Sequence, residues 1–536
     1  MLLLLLAACD SPAPPVTPPA PAASPPAAVQ TTAPASCTLL AVNDTYRIEP
    51  NADGSGGMAR LAALRADLAK QGDVVLLHAG DFLYPSLMSR LYKGAQMVEV
   101  LNVLDGNAAA ADPKMFVTFG NHEFDASKQK DAAALAERIT GSQFTWLGSN
   151  VRFKADAGLP ARGTGNLADT ATVACGDLKL GIFSVTTEKK SAEYLDGFDD
   201  AATTARRAAA ELRAAGADVV VALTHQSVDE DKAMLAALGE AGPDLVIGGH
   251  EHNHVQVAVD GRPIYKADAD AESAWRVVVQ RGNGGGAVRE AELLELSASL
   301  PENPMVREIV DARIRKHDAD FCAARSEAPG CLSAELGSST VPLVASELEI
   351  RRFETNLGDW IADRARDAFP DAQIAMINSG SLRLNHDLAA GPIPRQAVEE
   401  LFAYPTPLVR IEIDGATLEK VLARSAEDWT GNGNWLQVSG LAFVHDPATT
   451  SGSRLTLLST RKTIAPTDKL VAVVPGYLVD PSGDRDGYTM LPNIAAPTGP
   501  DLKDLVVKAL AAGPIAPVLE GRICNPERPG PCLAAP

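Results

Sequence analysis

Residues 115–125 read M-F-V-T-F-G-N-H-E-F-D, an apolar run that ends in a cluster of polar side chains. Four further apolar runs have the length of buried strands, and they are TLLAVN (38–43), VVLLHAG (74–80), VVVALT (219–224) and LVIGG (245–249). The five runs lead into Asp44, Asp81, Asn121 with His122, His225, and His250 with His252. Open α/β sheets build their sites beyond the carboxyl ends of strands, so we expect these side chains to lie close together.

Helix-like segments alternate with these runs, among them MARLAALRADLAK (58–70) and ARRAAAELRAAG (205–216). Such alternation predicts a layered α/β domain. We assign the chain, after its N-terminal segments, to a catalytic domain (37–297), a polar, helix-prone connector (298–339), a second α/β domain (340–524) and a tail (525–536).

The overall charge argues against one class of partner. The 536 residues exceed what one hydrophobic core accommodates, and 48 basic against 68 acidic residues give a net charge of −20. A surface of this sign repels nucleic-acid backbones. A local cationic pocket or a metal pair could still bind a small anion, so we expect a small-molecule substrate and no nucleic acid.

The N-terminus predicts export. Residues 1–9, MLLLLLAAC, are too few to span a bilayer. They resemble the end of a bacterial lipoprotein signal peptide, which implies lipidation at Cys9 and a periplasmic or cell-surface location on a bacterial membrane. Residues 10–36 are dominated by Pro, Ala, Ser and Thr, which predicts a disordered tether.

Six cysteines remain after Cys9, and an even number in an exported chain suggests disulfides. Six cysteines allow fifteen connectivities. The pairs Cys322/Cys331 and Cys524/Cys532 are the natural ones, because each spans a short loop that contains Pro and Gly.

The polar residues at the strand ends suit metal binding. Imidazole, carboxylate and amide oxygen together favour Zn, Mn, Co or Fe over Ca²⁺. Two such divalent ions ~3.5–4 Å apart can clamp a phosphoryl group and generate hydroxide near neutral pH. Asp81 is the candidate carboxylate to bridge them.

The motifs N-D-T-Y, G-D-F-L-Y, G-N-H-E-F-D, T-H and G-G-H-E-H, in this order, resemble those of calcineurin-like metallophosphoesterases. Together with the later region, the chain is similar to bacterial 5′-nucleotidases and UDP-sugar hydrolases, and to animal ecto-5′-nucleotidase. The resemblance implies a four-layer α/β/β/α catalytic domain followed by an α/β substrate-binding domain. It also implies hydrolysis of 5′-nucleotides, nucleotide sugars or 2′,3′-cyclic nucleotides.

The resemblance also implies roles for the residues at the strand ends. Asp81 would bridge two metals, one also bound by Asp44 and His252, the other also bound by Asn121, His225 and His250. His122 would contact the scissile phosphate, and Asp125 would orient its ring. From the residues alone, Asp125 could also cap the following helix. His78 and His254 match no family ligand, and we interpret both as structural.

The second domain carries its own similar motifs. R-R-F-E-T-N-L-G-D identifies Arg351, N-S-G-S-L-R identifies Asn378 and Arg383, and D-G-Y identifies Asp486 as a partner for ribose hydroxyls. Two aromatic rings would sandwich the base. Spacing assigns these positions to Tyr404 and to Tyr477, although the interval from Tyr477 to Asp486 is three residues longer than in the animal enzyme.

The first motif departs from the family pattern, because D-x-H is D-T-Y here and Tyr46 replaces a ligand histidine. Tyr46 could leave one metal short of a ligand, or could coordinate as phenolate. Tyr84 could instead supply the phenolate, as a tyrosine at that offset does in purple acid phosphatases. Two alternative functions stay open: a nucleotide-binding lipoprotein with an impaired metal site, and a relative that releases sulfate from a non-nucleotide. The sequence leaves the oligomeric state open.

Overall fold

The computed structural model describes residues 37–188, 192–281, 287–427, 433–448, 452–483 and 485–534. The predicted signal peptide with Cys9, and the tether, lie outside these ranges. Within them, no helix is both long enough and apolar enough to cross a membrane.

The first part of the chain alternates strands and helices as the sequence predicts. Its elements are β1 (Cys37–Val42), α1 (Met58–Leu68), β2 (Asp73–His78), α2 (Leu87–Tyr92), α3 (Ala95–Leu101), β3 (Met115–Thr118), α4 (Ala132–Gly141), β4 (Thr145–Leu147), β5 (Val151–Phe153), β6 (Leu167–Ala168), β7 (Thr170–Cys175), β8 (Leu178–Thr186), β9 (Leu195–Phe198), α5 (Ala201–Ala214), β10 (Val219–His225), α6 (Val228–Leu238), β11 (Leu245–Gly248), β12 (Val255–Val259), β13 (Arg262–Lys266), β14 (Ser273–Val279) and β15 (Val288–Glu295).

These strands form two main sheets, of order β15-β14-β1-β2-β3-β4-β6 and β12-β13-β11-β10-β8-β7. Side chains such as Leu39, Val75 and Val221 form one core between the sheets. A second core packs the first sheet against helices that include α1, and a third packs the second sheet against α5 and α6. The domain therefore has the expected four layers, α/β/β/α.

The remaining elements follow a long helix, α7 (Pro304–Ala323), in the predicted connector, where Asn303 caps the helix and accepts hydrogen bonds from the Met305 and Val306 N–H groups. They are β16 (Glu335–Ser339), α8 (Glu347–Ile350), α9 (Asn356–Asp367), β17 (Ile374–Asn378), β18 (Gly391–Pro394), α10 (Arg395–Leu401), β19 (Leu408–Asp414), α11 (Gly415–Ala426), β20 (Leu436–Ser439), β21 (Leu441–His445), β22 (Gly452–Leu457), β23 (Lys462–Thr463), β24 (Lys469–Pro475), α12 (Leu502–Ala511) and β25 (Ile523–Cys524). Sheets of order β19-β24-β17-β20 and β23-β22-β21-β25 form the second α/β domain.

Three disulfides link the described cysteines. Cys322–Cys331 and Cys524–Cys532 confirm the two predicted pairs. Cys37–Cys175 joins β1 of the first sheet to β7 of the second across 138 residues.

Candidate active site

The polar residues that follow the strands come from both sheets of the first domain. Asp44, Asp81 and Asn121 follow β1, β2 and β3, whereas His225 and His250 come from β10 and the loop after β11. Three of them have left-handed backbones, with φ of 51° at Asp44, 57° at Asp81 and 83° at His250. Such conformations cost non-glycine residues about 1–3 kcal/mol and concentrate at functional sites.

The structure brings the six predicted metal donors into one cluster. Asp81 Oδ2 lies 3.0 Å from His225 Nε2, and Asn121 Oδ1 lies 3.0 Å from His250 Nδ1. His252 Nε2 lies 3.5 Å from Asp44 Oδ1. One potential ligand atom from each of Asp44, Asp81 and His225 lies within 4.8 Å of the other two.

Hydrogen bonding and charge favour a cation in this cluster. His225 donates from Nδ1 to the carbonyl of Ala79 at 2.6 Å, which aims Nε2 at Asp81. Burial alone would lower the pKa of His225, but Asp81 and Asp44 outweigh it and raise the pKa to about 10. Burial alone would raise the pKa of Asp81, yet His225 and His122 hold it far below its usual range. The carboxylates therefore stabilise positive charge at this point.

Two glycines allow the strand ends to approach each other. A β-carbon at Gly120 would lie 2.1 Å from Asp81 Oδ1, and one at Gly249 would lie 3.0 Å from Asp44 Oδ2. No side chain could be added at Gly120 without displacing Asp81. The close-packed oxygen and nitrogen donors fit divalent metal ions.

Tyr46, rather than Tyr84, points into the donor cluster. Its Oη lies 2.9 Å from His252 Nε2, 3.2 Å from Asp44 Oδ1 and 3.4 Å from Asp81 Oδ2. Burial, reinforced by Asp44 and Asp81, raises the pKa of the Tyr46 phenol well above its usual value. Tyr84 instead lines a separate small pocket with Asp131, Arg138 and Tyr194, and no predicted metal donor lines that pocket. The geometry therefore argues against the Tyr84 alternative.

His78 and His254 make contacts that support the structural interpretation. His78 is buried, its Nε2 lies 2.7 Å from Thr45 Oγ1, and its ring packs on Phe82. His254 is exposed, and its Nδ1 lies 3.0 Å from Asp268 Oδ1.

His122 and Asp125 form the expected pair, with His122 Nδ1 2.9 Å from Asp125 Oδ2. Asp125 does not cap the following helix, because α4 begins at Ala132 with Asp131 at its N-cap position. The same oxygen of Asp125 accepts a hydrogen bond from Tyr404 Oη in the second domain, at 2.6 Å.

Apart from Tyr404, the predicted substrate residues fall into two groups. Arg351 and Arg383 line a cavity of about 580 Å³ between the domains, together with Tyr46 and His252. The second group centres on Asp486, whose carboxylate accepts hydrogen bonds from Asn378 Nδ2 at 2.8 Å and Tyr477 Oη at 3.1 Å. Tyr404 and Tyr477 are 40% and 42% exposed, which is unusual among the large aromatic side chains that the structure describes.

Family models match both halves of the chain. Residues 37–254 match the calcineurin-like phosphoesterase model, and residues 335–493 match the 5′-nucleotidase C-terminal domain model. The chain belongs to the 5′-nucleotidase family of metallophosphoesterases. Its members are hydrolases that act on phosphoester bonds, and the family implies divalent metal binding.

Individual relatives agree with this assignment. Snake venom 5′-nucleotidase from Gloydius brevicauda is 25% identical over an alignment of 577 positions, which covers 96% of this chain and 93% of that protein. The 5′-nucleotidase precursor of Thermus thermophilus has the same fold, with a TM-score of 0.75 at 23% identity over 92% of this chain and 100% of that one. The sulfate thiohydrolase from Thermus thermophilus shares it with a TM-score of 0.69 at 17% identity, over 92% and 97% of the two chains.

Three residues that support the donors were not predicted from the sequence. Glu123 accepts hydrogen bonds from the backbone N–H groups of Asp81, Phe82, Leu83 and Gly120. Lys266 is fully buried and donates to the carbonyls of Gln226 and Gly249. Glu347 contacts His252. Two of these residues could have been found from the sequence. Glu123 lies inside the G-N-H-E-F-D motif. Glu347 lies four residues before Arg351, which is the spacing of an ion pair on a helix.

Proposed function

We propose that this enzyme hydrolyses 5′-nucleotides to nucleosides and phosphate, with nucleotide sugars and 2′,3′-cyclic nucleotides as related substrates. The observation that carries the proposal is a convergence. His252 of the donor cluster and the arginines Arg351 and Arg383 line one interdomain cavity, and Tyr46, which contacts the donors, lines it as well.

The donor set fits two divalent ions drawn from Zn, Mn, Co and Fe. Asp44, Asp81 and His252 would hold one ion, and Asp81, Asn121, His225 and His250 would hold the other. When bound, the metals would polarise the phosphoryl group and supply hydroxide as the nucleophile.

His122 acts beside the metals in this proposal. Its Nδ1 is engaged by Asp125, so Nε2 is the atom available to the phosphate. A ring held in this way can stabilise charge on the phosphoryl oxygens and assist the leaving oxygen.

The second domain would select the nucleotide. Arg351 and Arg383 would bind phosphate, a role that suits planar guanidinium groups. Asp486 would accept hydrogen bonds from the ribose hydroxyls, because Asn378 and Tyr477 hold its carboxylate in place. The exposed rings of Tyr404 and Tyr477 would stack on the base, a contact worth about 1–3 kcal/mol per base elsewhere.

The test follows the products formed from AMP, UDP-glucose and 2′,3′-cyclic AMP after Mn²⁺, Co²⁺ or Zn²⁺ is added to the metal-stripped protein. AMP should give adenosine and phosphate, UDP-glucose should give UMP and glucose 1-phosphate, and the cyclic nucleotide should give a nucleoside monophosphate. We expect metal-dependent turnover of AMP. Asp81→Asn should abolish turnover and sharply reduce bound metal, measured by mass spectrometry, because it removes the shared carboxylate. Asp229→Asn, at a side chain that is 86% exposed, is the matched control and should behave as wild type.

Two other results would contradict the proposal and favour one of the alternative functions. Nucleotide binding without turnover at any metal would favour the nucleotide-binding lipoprotein with an impaired site. Sulfate release from a sulfur-bound substrate, with AMP untouched, would favour the sulfate-releasing relative.

We further propose that the protein is exported and anchored through a lipid on Cys9, outside the cytoplasm. The three disulfides support an oxidising compartment. Cys9→Ser should move the protein from the membrane fraction to the soluble exported fraction. A variant that stays in the membrane fraction would contradict the lipid anchor.

A further inference from the structure

A carboxylate of the second domain touches a predicted metal donor of the first. Glu347 opens the short helix α8, and its Oε2 lies 2.5 Å from Nδ1 of His252. Both side chains are mostly shielded from solvent, Glu347 with 11% and His252 with 16% exposure.

The other oxygen of the same carboxylate is also engaged. Glu347 Oε1 forms an ion pair with Nη1 of Arg351, one helical turn later. One carboxylate thus joins a predicted metal donor to an arginine of the substrate cavity.

The contact decides which nitrogen of His252 faces the donor cluster. With its Nδ1–H donated to Glu347, the ring presents Nε2 to Tyr46 and Asp44. A metal-binding histidine commonly donates its other N–H to a carboxylate, which fixes the tautomer and orients the ring. Here that carboxylate comes from the other domain, so the hydrogen bond requires the domain arrangement seen in this structure.

We propose that Glu347 is a positioning residue that couples one metal site to the position of the second domain relative to the first. It orients His252 for its cation and at the same time holds Arg351 in the substrate cavity. The affinity of the ion bound by Asp44, Asp81 and His252 therefore depends on a residue outside the catalytic domain. This inference rests on the proposed two-metal function.

The experiment titrates the metal-stripped full chain with Mn²⁺ by calorimetry. Wild type should bind two ions. Glu347→Ala should weaken one of them by about 10–100-fold, the usual effect of losing a partner behind a ligand, and leave the other unchanged. Glu347→Gln should lose less affinity for that ion, because its amide oxygen can still accept the hydrogen bond from His252 Nδ1. Glu349→Gln, in the same helix but paired with Arg528, is the matched control and should bind like wild type.

The outcomes separate this inference from the function on which it rests. Wild-type binding of both ions by Glu347→Ala would overturn the inference, as would an equal weakening of both ions, which indicates a general structural role. A wild-type protein that binds two ions and hydrolyses AMP leaves the proposed function intact in either case. A wild-type protein that binds no Mn²⁺ would overturn both.

Discussion

Tyr46 is the residue in which this chain departs from the family motif, and its surroundings define the consequence. Its Oη lies within 3.4 Å of Asp44, Asp81 and His252. The phenol therefore occupies the space next to three donors where the family motif supplies an imidazole. A neutral phenol is a weaker ligand than imidazole for these divalent ions.

We predict that Tyr46→His strengthens metal binding at this site. The new imidazole adds a nitrogen donor, so the affinity of the weaker ion should rise by about tenfold or more, since even outer-shell changes shift affinity by 10–100-fold. Metal content at limiting Mn²⁺ is the measurement, and Tyr46→Phe is the control that adds no donor. Equal metal content in all three proteins would show that Tyr46 does not limit the site.

His122 should affect turnover far more than metal content. His122→Asn removes the group expected to stabilise the transition state, so kcat should fall by about 10²-fold or more, the usual scale for a positioned acid–base group. Metal content and KM should change little. Loss of bound metal as the main defect would make His122 a ligand instead.

Tyr404 has a second contact that its role as a stacking ring does not predict. Its Oη donates to the oxygen of Asp125 that faces His122. Tyr404→Ala should raise KM for AMP by roughly 5- to 150-fold, corresponding to about 1–3 kcal/mol of lost stacking. The KM for a phosphate ester that lacks a base should stay unchanged. Tyr404→Phe keeps the ring but loses the hydroxyl, so it should change kcat through Asp125 rather than KM, and Tyr404→Ala should share this change in kcat for both substrates. An equal rise in KM for both substrates in Tyr404→Ala would assign Tyr404 to packing.

At the scale of elements, helix α9 contains a buried acid. Asp359 is 2% exposed and lies near Glu354, with Arg522 Nε 3.8 Å away. Burial, followed by repulsion from Glu354, raises the pKa of Asp359 from 3.8 to about 10. The folded carboxyl therefore keeps a proton that the unfolded chain loses.

This raised pKa determines how the free energy of unfolding changes with pH. The unfolded carboxyl ionises near pH 4 and the folded one only near pH 10, so stability falls between these values as pH rises, by at most about 1.4 kcal/mol per pH unit. Asp359→Asn cannot ionise. Its Tm should match wild type at pH 4 and exceed it increasingly at pH 6 and pH 8.

Asp367→Asn, in the same helix at a side chain that is 53% exposed, is the control for this prediction. Its Tm should follow wild type at every pH. Parallel curves for wild type and Asp359→Asn would contradict the raised pKa.

At the scale of the whole molecule, the two sheets and the two domains are held by contacts between distant parts of the chain. Cys37–Cys175 ties the sheets together across 138 residues. Arg47 pairs with Glu400 across the domains at 2.8 Å, beside the contacts of Glu347 and Tyr404. The donor cluster draws on both sheets of the first domain, so it depends on how these two sheets pack against each other.

The Cys37–Cys175 disulfide should contribute more stability than the short one. Loop-closure entropy predicts that a 138-residue loop stabilises by about 2 kcal/mol more than a 9-residue loop. The double variant Cys37→Ala/Cys175→Ala should therefore lose more unfolding free energy in guanidinium than Cys322→Ala/Cys331→Ala. All four cysteines are buried, so the two variants are matched. Equal losses would contradict the loop-closure explanation.

The sequence by itself determined the order of the elements and predicted which polar residues lie together beyond the strand ends. Apolar runs of strand length end at Asp44, Asp81, Asn121, His225 and His250, and the strands form where those runs predict. The two short-range disulfides could also be predicted, because in each pair the cysteines are separated by only a short loop. These features depend on residues that are neighbours along the chain.

Only the tertiary structure decided which tyrosine enters the donor cluster, which residue orients His252, and where Cys37 finds its partner. Tyr46 and Tyr84 both follow strand ends, and their directions depend on how the two sheets pack. Glu347 reaches His252 across 95 residues, and Cys37 reaches Cys175 across 138. Such contacts depend on how layers and domains assemble, which the periodicity of a local segment does not record.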